Sequence, residues 1–124
     1  MIKLDNVSLV FQGGSVALSN VSTKISEGEF VYLIGHSGSG KSSLLKLLYK
    51  EYSPTKGEIE VVDMDVTTLP KWKIPLLRRK LGIVTQEPQL LEDRTTFENI
   101  SFALEVLGFC LLYTSDAADD VISV

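Results

Sequence analysis

The stretch Gly35-His36-Ser37-Gly38-Ser39-Gly40-Lys41-Ser42 fits the pattern G-x-x-x-x-G-K-[ST], and every part of that pattern suits a bound phosphate. Glycines at 35, 38 and 40 let the backbone turn tightly, so that successive N–H groups point inward at an anion. Ser37 and Ser39 lie in the same loop and add their own amides. A helix starting after the loop would contribute its amino-terminal dipole and unpaired N–H donors, with Ser43 in its first turn. Lys41 would set a cation against β- and γ-phosphates, and the Ser42 hydroxyl is placed to ligate Mg²⁺. The plain alternative is a glycine-rich turn that matches by chance, on the order of once in a hundred chains of this length at average residue usage. A phosphate loop also has to sit between a strand and a helix, and the flanking residues meet that condition.

On the amino side, Phe30-Val31-Tyr32-Leu33-Ile34 is a short unbroken apolar run, the pattern of a central strand covered on both faces. On the carboxyl side, Leu44, Leu45, Leu47 and Leu48 in residues 43–50 have helical spacing and would pack on a sheet. Before the loop, residues 2–11 read as a strand, 12–15 as a turn, and 17–25 as a second strand whose alternation is weakened by Ser and Thr. After it, Ser53-Pro54-Thr55-Lys56-Gly57 breaks the helix, and residues 58–66 read as one or two strands. Pro75 can open a short helix through Arg78. Residues 82–85 resemble another strand ending at Gln86. A last helix is expected over about 97–107, capped by Thr95 or Thr96 with Glu98 in its first turn.

The 124 residues amount to one domain, with 44% hydrophobic and 23% charged residues as in an ordinary globular chain. A single cysteine, Cys110, rules out an internal disulfide and suits a reducing cytoplasm. The most apolar stretch, Leu104 to Tyr113, contains Glu105 and is about half the length of a bilayer span, so membrane association is expected through a partner. All 12 Lys and Arg lie at or before Arg94, and the net charge of −4 owes much to Asp116, Asp119 and Asp120 near the end. Nothing in that balance suggests a general nucleic-acid surface, and no nucleic-acid partner is expected. Lys71, Lys73, Arg78, Arg79 and Lys80 do form a local basic cluster. A solvated charged face is the plain reading of it, and contact with a membrane partner or anionic lipid the sharper one.

Unlike small GTPases and nucleotide kinases, in which the loop lies very near the amino terminus, this chain has 34 residues before it, and they read as a strand pair. With that pair and the segment Leu81-Gly82-Ile83-Val84-Thr85-Gln86, the chain resembles the ATP-binding cassette family. The resemblance implies an α/β fold: a P-loop NTPase core with an N-terminal antiparallel β subdomain. It implies that Phe11 stacks on adenine with Val16 as a second contact, where an isolated aromatic at that position would simply be a strand side chain. It implies that Gln86 reaches Mg²⁺ and the attacking water. The stretches VALSNVS, EGEFVYLIGHSGSGKSSLLKLLY, IPLLRRKLGIV and PQLLEDRTTFENISFAL are similar to the FtsE-type cell-division ATP-binding proteins. That branch implies a cytoplasmic ATPase held peripherally at the inner (plasma) membrane. It works as a homodimer with an integral membrane partner and uses ATP and Mg²⁺ as cofactors.

The family's hydrolysis also uses an LSGGQ-type signature, an apolar strand ending in Asp-Glu, and a switch histidine. None of these occurs in the 124 residues, since His36 lies inside the phosphate loop and no apolar run precedes Asp119-Asp120. The resemblance ends near residue 108, so 1–108 is expected to be the N-terminal part of a nucleotide-binding domain and 109–124 a divergent or non-native tail. Three readings remain open. They are a subunit of a hydrolysing complex of the cell-division type, the equivalent subunit of a lipoprotein-export or small-molecule transporter, and a non-hydrolytic ATP-binding module. With the family's later core strands absent, the apolar faces around Val31 to Ile34 are expected to be exposed and the chain poorly soluble.

Overall fold

In the first strand, β1 (Ile2–Val10), the buried positions change parity partway along. Leu4 faces the core on one phase, while Val7 and Leu9 face it on the other. The change falls at Asn6, whose φ of 48° is left-handed and shifts the register against β2 (Val16–Ile25). Asn20 makes the matching irregularity in β2 at φ 47°. Asparagine enters this conformation at low cost, and here hydroxyls replace the lost ladder bonds. The Asn6 N–H donates to Ser22 Oγ at 2.9 Å, and the Asn20 N–H donates to Ser8 Oγ at 3.0 Å. The serines that blur the sequence alternation are therefore part of a paired bulge.

The computed structural model describes residues 1–108, divided between a unit of Met1–Gly82 and the described part of a second unit that begins at Ile83. In the first unit β1 lies between β2 and β3 (Lys56–Val61), and β4 (Met64–Asp65) completes an antiparallel sheet of order β2-β1-β3-β4. Val62 and Asp63, both at positive φ, make the tight turn between β3 and β4. Helix α1 (Lys41–Leu48) inserts Leu47, and helix α2 (Ile74–Arg78), which continues a 3₁₀ turn over Lys71–Lys73, inserts Leu77. These two leucines complete a core of Leu4, Val7, Leu9, Leu18, Ile59, Val61 and Val66.

In the second unit, helix α3 (Thr96–Val106) is capped by Thr95. The Glu98 N–H donates to Thr95 Oγ1 at 3.2 Å, and Glu98 Oε2 accepts from the Thr95 N–H at 2.7 Å, a reciprocal capping box. The Thr95 backbone N–H, and after it the Thr95 side chain, hold the Glu98 carboxyl below its ordinary value. Asn99 ties down the preceding loop, accepting from the Leu91 N–H at 2.9 Å and donating to Thr95 O at 2.9 Å.

Two expected strands do not form. Residues 30–34 and 82–85 carry no ladder bonds among the described residues. In the first run Tyr32 is 77% and Ile34 89% exposed, while Val84 in the second is 98% exposed. Apolar composition marks a residue as suited to a covered strand, but a strand exists only with a paired neighbour, and parallel neighbours arrive through long crossovers. The described sheet is antiparallel throughout, and neither run pairs with any of its strands. The tail expected at 109–124 lies outside the described residues.

Candidate phosphate-binding loop

Helix α1 begins on Gly40, its N-cap, whose φ of 95° lies in the left-handed region. Space also dictates glycine here, because a Cβ would fall under 3.0 Å from the Ala17 carbonyl oxygen and 3.1 Å from Leu18 Cδ2. Backbone-to-backbone contact thus seats the start of α1 directly on β2. Leu44 is the first residue of α1 whose amide finds a helical acceptor, Gly40 O at 2.9 Å. The amides of Lys41, Ser42 and Ser43 precede it and have no acceptor within the helix, as at any helix start. No side chain caps this end, in contrast to α3.

The loop folds around its own lysine. Lys41 Nζ donates to Gly35 O and His36 O, both at 2.6 Å, and to Ser39 Oγ at 3.1 Å. These three oxygens use all three ammonium protons. The Ser39 N–H closes the turn on His36 O at 3.1 Å, and Gly38 sits at φ 80° with open space around it. Gly35, His36, Ser37, Gly38 and Ser39 are exposed, as is Ser42, while Gly40, Lys41 and Ser43 are half-buried. The result is a solvent-facing loop with a cation at its centre and free amides on the helix side. That combination can take up a multiply charged anion.

The contact between Gly40 and β2 brings a second group near this loop. Val16 begins β2 beside Ala17, it is paired with Val10, and it is 61% exposed. Phe11 lies across the same hairpin end, its N–H donating to Ser15 O at 2.8 Å. Its ring is 37% exposed and meets Tyr52 edge to face, with centroids 5.4 Å apart. Tyr52 was not singled out in the sequence, and its separation from Phe11 along the chain gave no signal of the pairing. Lys46 lies over the Tyr52 ring at 5.1 Å and pairs with Glu51 at 3.3 Å, which raises its pKa. Phe11, Val16 and the loop therefore all belong to the first unit. Gln86 belongs to the second, in exposed chain just after Thr85, whose hydroxyl donates to Glu87 O at 2.5 Å.

A family model described as ABC transporter matches residues 18–123. Cell division ATP-binding protein FtsE of Bacillus subtilis (strain 168) is 45% identical over 108 residues, which are 87% of this chain and 47% of that protein. The protein of the same name from Escherichia coli (strain K12) is 40% identical over 108 residues, 87% of this chain and 49% of the relative. Among solved structures, the ATP-binding cassette MJ0796, in a dimeric post-hydrolysis state bound to ADP and Pi, superposes with a TM-score of 0.78. It is 37% identical, and the match covers 85% of this chain and 47% of that one. The chain spans about half the length of the curated relatives it matches. Over the matched residues the chain, with its antiparallel strand pair, has the fold of that cassette. With the family model matching most of its length, the chain belongs to the ABC transporter family.

Proposed function

We propose that this chain binds the phosphates of ATP on the loop 35–43, as part of the cytoplasmic nucleotide-binding subunit of an ABC-type complex. The observation that carries the reading is the Lys41 ammonium, held by Gly35 O, His36 O and Ser39 Oγ at the uncapped start of α1. Those oxygens are neutral, so β- and γ-phosphates can displace them and gain a charge-assisted contact in return. The amides of Lys41, Ser42 and Ser43 then supply the remaining donors, and Phe11 with Val16 forms the surface for adenine. Among the described residues no group of three or more His, Cys, Asp or Glu is placed to hold a metal. Ser42, the hydroxyl next to Lys41 at the start of α1, would hold Mg²⁺ together with the phosphates and, by the family resemblance, Gln86. When bound, Mg²⁺ neutralises charge on the β- and γ-oxygens.

Hydrolysis belongs to the whole protein in this reading, with residues 1–108 as the N-terminal part of its nucleotide-binding domain and 109–124 outside it. There Gln86 orients water, and a second copy completes the site. The cell-division assignment, including an integral membrane partner and a peripheral place at the inner membrane, is supported by relatives named Cell division ATP-binding protein FtsE at 39 to 45% identity. A transporter cassette is the second reading, favoured by MJ0796, described as a bacterial ABC transporter cassette and 38% identical. A neighbouring gene for a substrate-binding protein would select it over the cell-division type.

Affinity for a fluorescent ATP analogue, compared between the unsubstituted protein and Lys41→Ala, tests the nucleotide reading. A fall in affinity of roughly tenfold or more supports it, and equal affinity overturns it. In a full-length version, Gln86→Ala is expected to slow hydrolysis while leaving affinity in place. Unchanged turnover would remove Gln86 from the mechanism.

A further inference from the structure

Between Val66 and Gln86 the chain holds five of its 12 basic residues and no acidic one. The first unit gives that stretch a definite shape. Leu77 is fully buried and roots α2 in the core. Arg78 turns back to α1, its Nε donating to Tyr49 O at 3.0 Å while its guanidinium lies 5.9 Å from the Tyr49 ring centroid. With those two residues as anchors, the opposite side of the 3₁₀ turn and α2 faces solvent. There Trp72 is 71% exposed, and Leu76, one helical turn on, is 44% exposed. Lys71, Arg79 and Lys80 are also exposed, and the Lys73 ammonium lies 5.0 Å from the Trp72 ring centroid.

A merely solvated basic face needs no indole at its centre, and an apolar contact with another protein needs no such excess of one charge. A short exposed segment that combines an aromatic and a leucine with several cations suits a surface that is negative outside and apolar beneath. We propose that the segment 70–80 rests on an anionic lipid surface. Trp72 and Leu76 enter the headgroup layer, and Lys71, Lys73, Arg79 and Lys80 meet the headgroup phosphates. Each basic residue near such a surface strengthens binding by about fivefold, so this patch makes a reversible contact rather than a permanent anchor. The contact uses none of the residues assigned to nucleotide and does not depend on that assignment.

Trp72 is the only tryptophan in the chain, so its emission reports on this patch alone. The full chain is titrated with phosphatidylcholine vesicles, with and without phosphatidylglycerol, and with brominated acyl chains as quencher. Flotation of the vesicles measures binding independently. The expected result is a blue shift and bromine quenching with anionic vesicles only, weakened by added salt. Replacing Lys71, Lys73 and Lys80 together by alanine is expected to weaken binding roughly a hundredfold. None of the three holds the core, and α1 helicity measured alongside verifies that the unit stays folded. Any of four results overturns the proposal. They are no shift with anionic vesicles, an equal shift with phosphatidylcholine alone, flotation that survives the triple substitution, or a shift produced by polyglutamate but not by vesicles. The last would assign the patch to an acidic protein face.

Discussion

Three glycines of the first unit are identical in chemistry but differ in what an added methyl group would meet, which makes them a graded test of how the phosphate loop is held. Gly82 has neither a left-handed φ nor any atom within 4 Å of a built Cβ. Gly82→Ala is therefore neutral, or stabilising by about 0.4–1 kcal/mol through the unfolded chain. Gly38 has a φ of 80° but open space, so alanine there costs only the left-handed conformation, about 1–2 kcal/mol. Gly40 adds a steric term, because the Cβ would press on the Ala17 carbonyl, and backbone cannot swing aside as a side-chain end can. Overpacking of this kind costs about 1–3 kcal/mol more, and relief requires the start of α1 to leave β2. Gly40→Ala is thus expected to cost about 2–5 kcal/mol. Hydrogen exchange at Leu44 to Leu48 reads this as a local opening free energy without requiring two-state unfolding. ATP affinity is expected to fall in the same order, Gly82, Gly38, Gly40. Equal effects at Gly38 and Gly40, or damage at Gly82 matching either, would refute the claim that contact with β2 positions the loop.

The remaining predictions follow from single contacts. Lys41→Ala removes the only cation held among the loop carbonyls and is expected to weaken ATP binding by roughly ten- to a hundredfold, measured with a fluorescent analogue. Thr95→Ala removes the α3 cap and costs about 1 kcal/mol of local stability, visible as faster amide exchange at Glu98. The Glu98 carboxyl is held below its usual value of 4.5, so its stabilising contribution is complete above that pH and is lost as pH falls through the lower folded value. Acid below about pH 4.5 should accordingly fray the first turn of α3, and a pH-independent first turn would contradict the capping box. Asn99→Ala frees the Leu91 N–H and should raise its exchange rate by about five- to tenfold, whereas Asn99→Asp keeps that acceptor and should not. The exposed run Phe30 to Ile34 should drive self-association of the 124-residue chain, relieved by Tyr32→Lys with Ile34→Lys. Light scattering that finds a monodisperse monomer with a sharp thermal transition would count against this.

What the sequence disclosed depended on how local the determining physics is. The glycine-rich turn and the helix after it are legible because the glycine conformations, the lysine and the helix all lie within one short stretch. The helix read over 43–50 and the cap read at Thr95 or Thr96 are local in the same sense, and the structure starts α1 at Lys41 and selects Thr95. The hairpin of β1 and β2 was visible, but its bulges were not, since the Asn6–Ser22 and Asn20–Ser8 bonds join residues that only the folded register brings together. The same limit hid the edge contact of Phe11 with Tyr52.

Residues 30–34 and 82–85 present the opposite case. There the apolar pattern suggests a strand that the structure does not form among the described residues, because a strand is a property of two segments and the pattern reports on one. The phosphate loop hangs from the first of these runs at Gly35 and from β2 at Gly40, and the described structure supplies only the second support. Lys41 turned inward on Gly35 O and His36 O is what a loop with one firm end can do to satisfy its own ammonium group. Pairing of residues 30–34 with further strands would fix the other end. It would be expected to tighten nucleotide binding without changing any residue that touches the phosphates, because less ordering would then be left to the ligand.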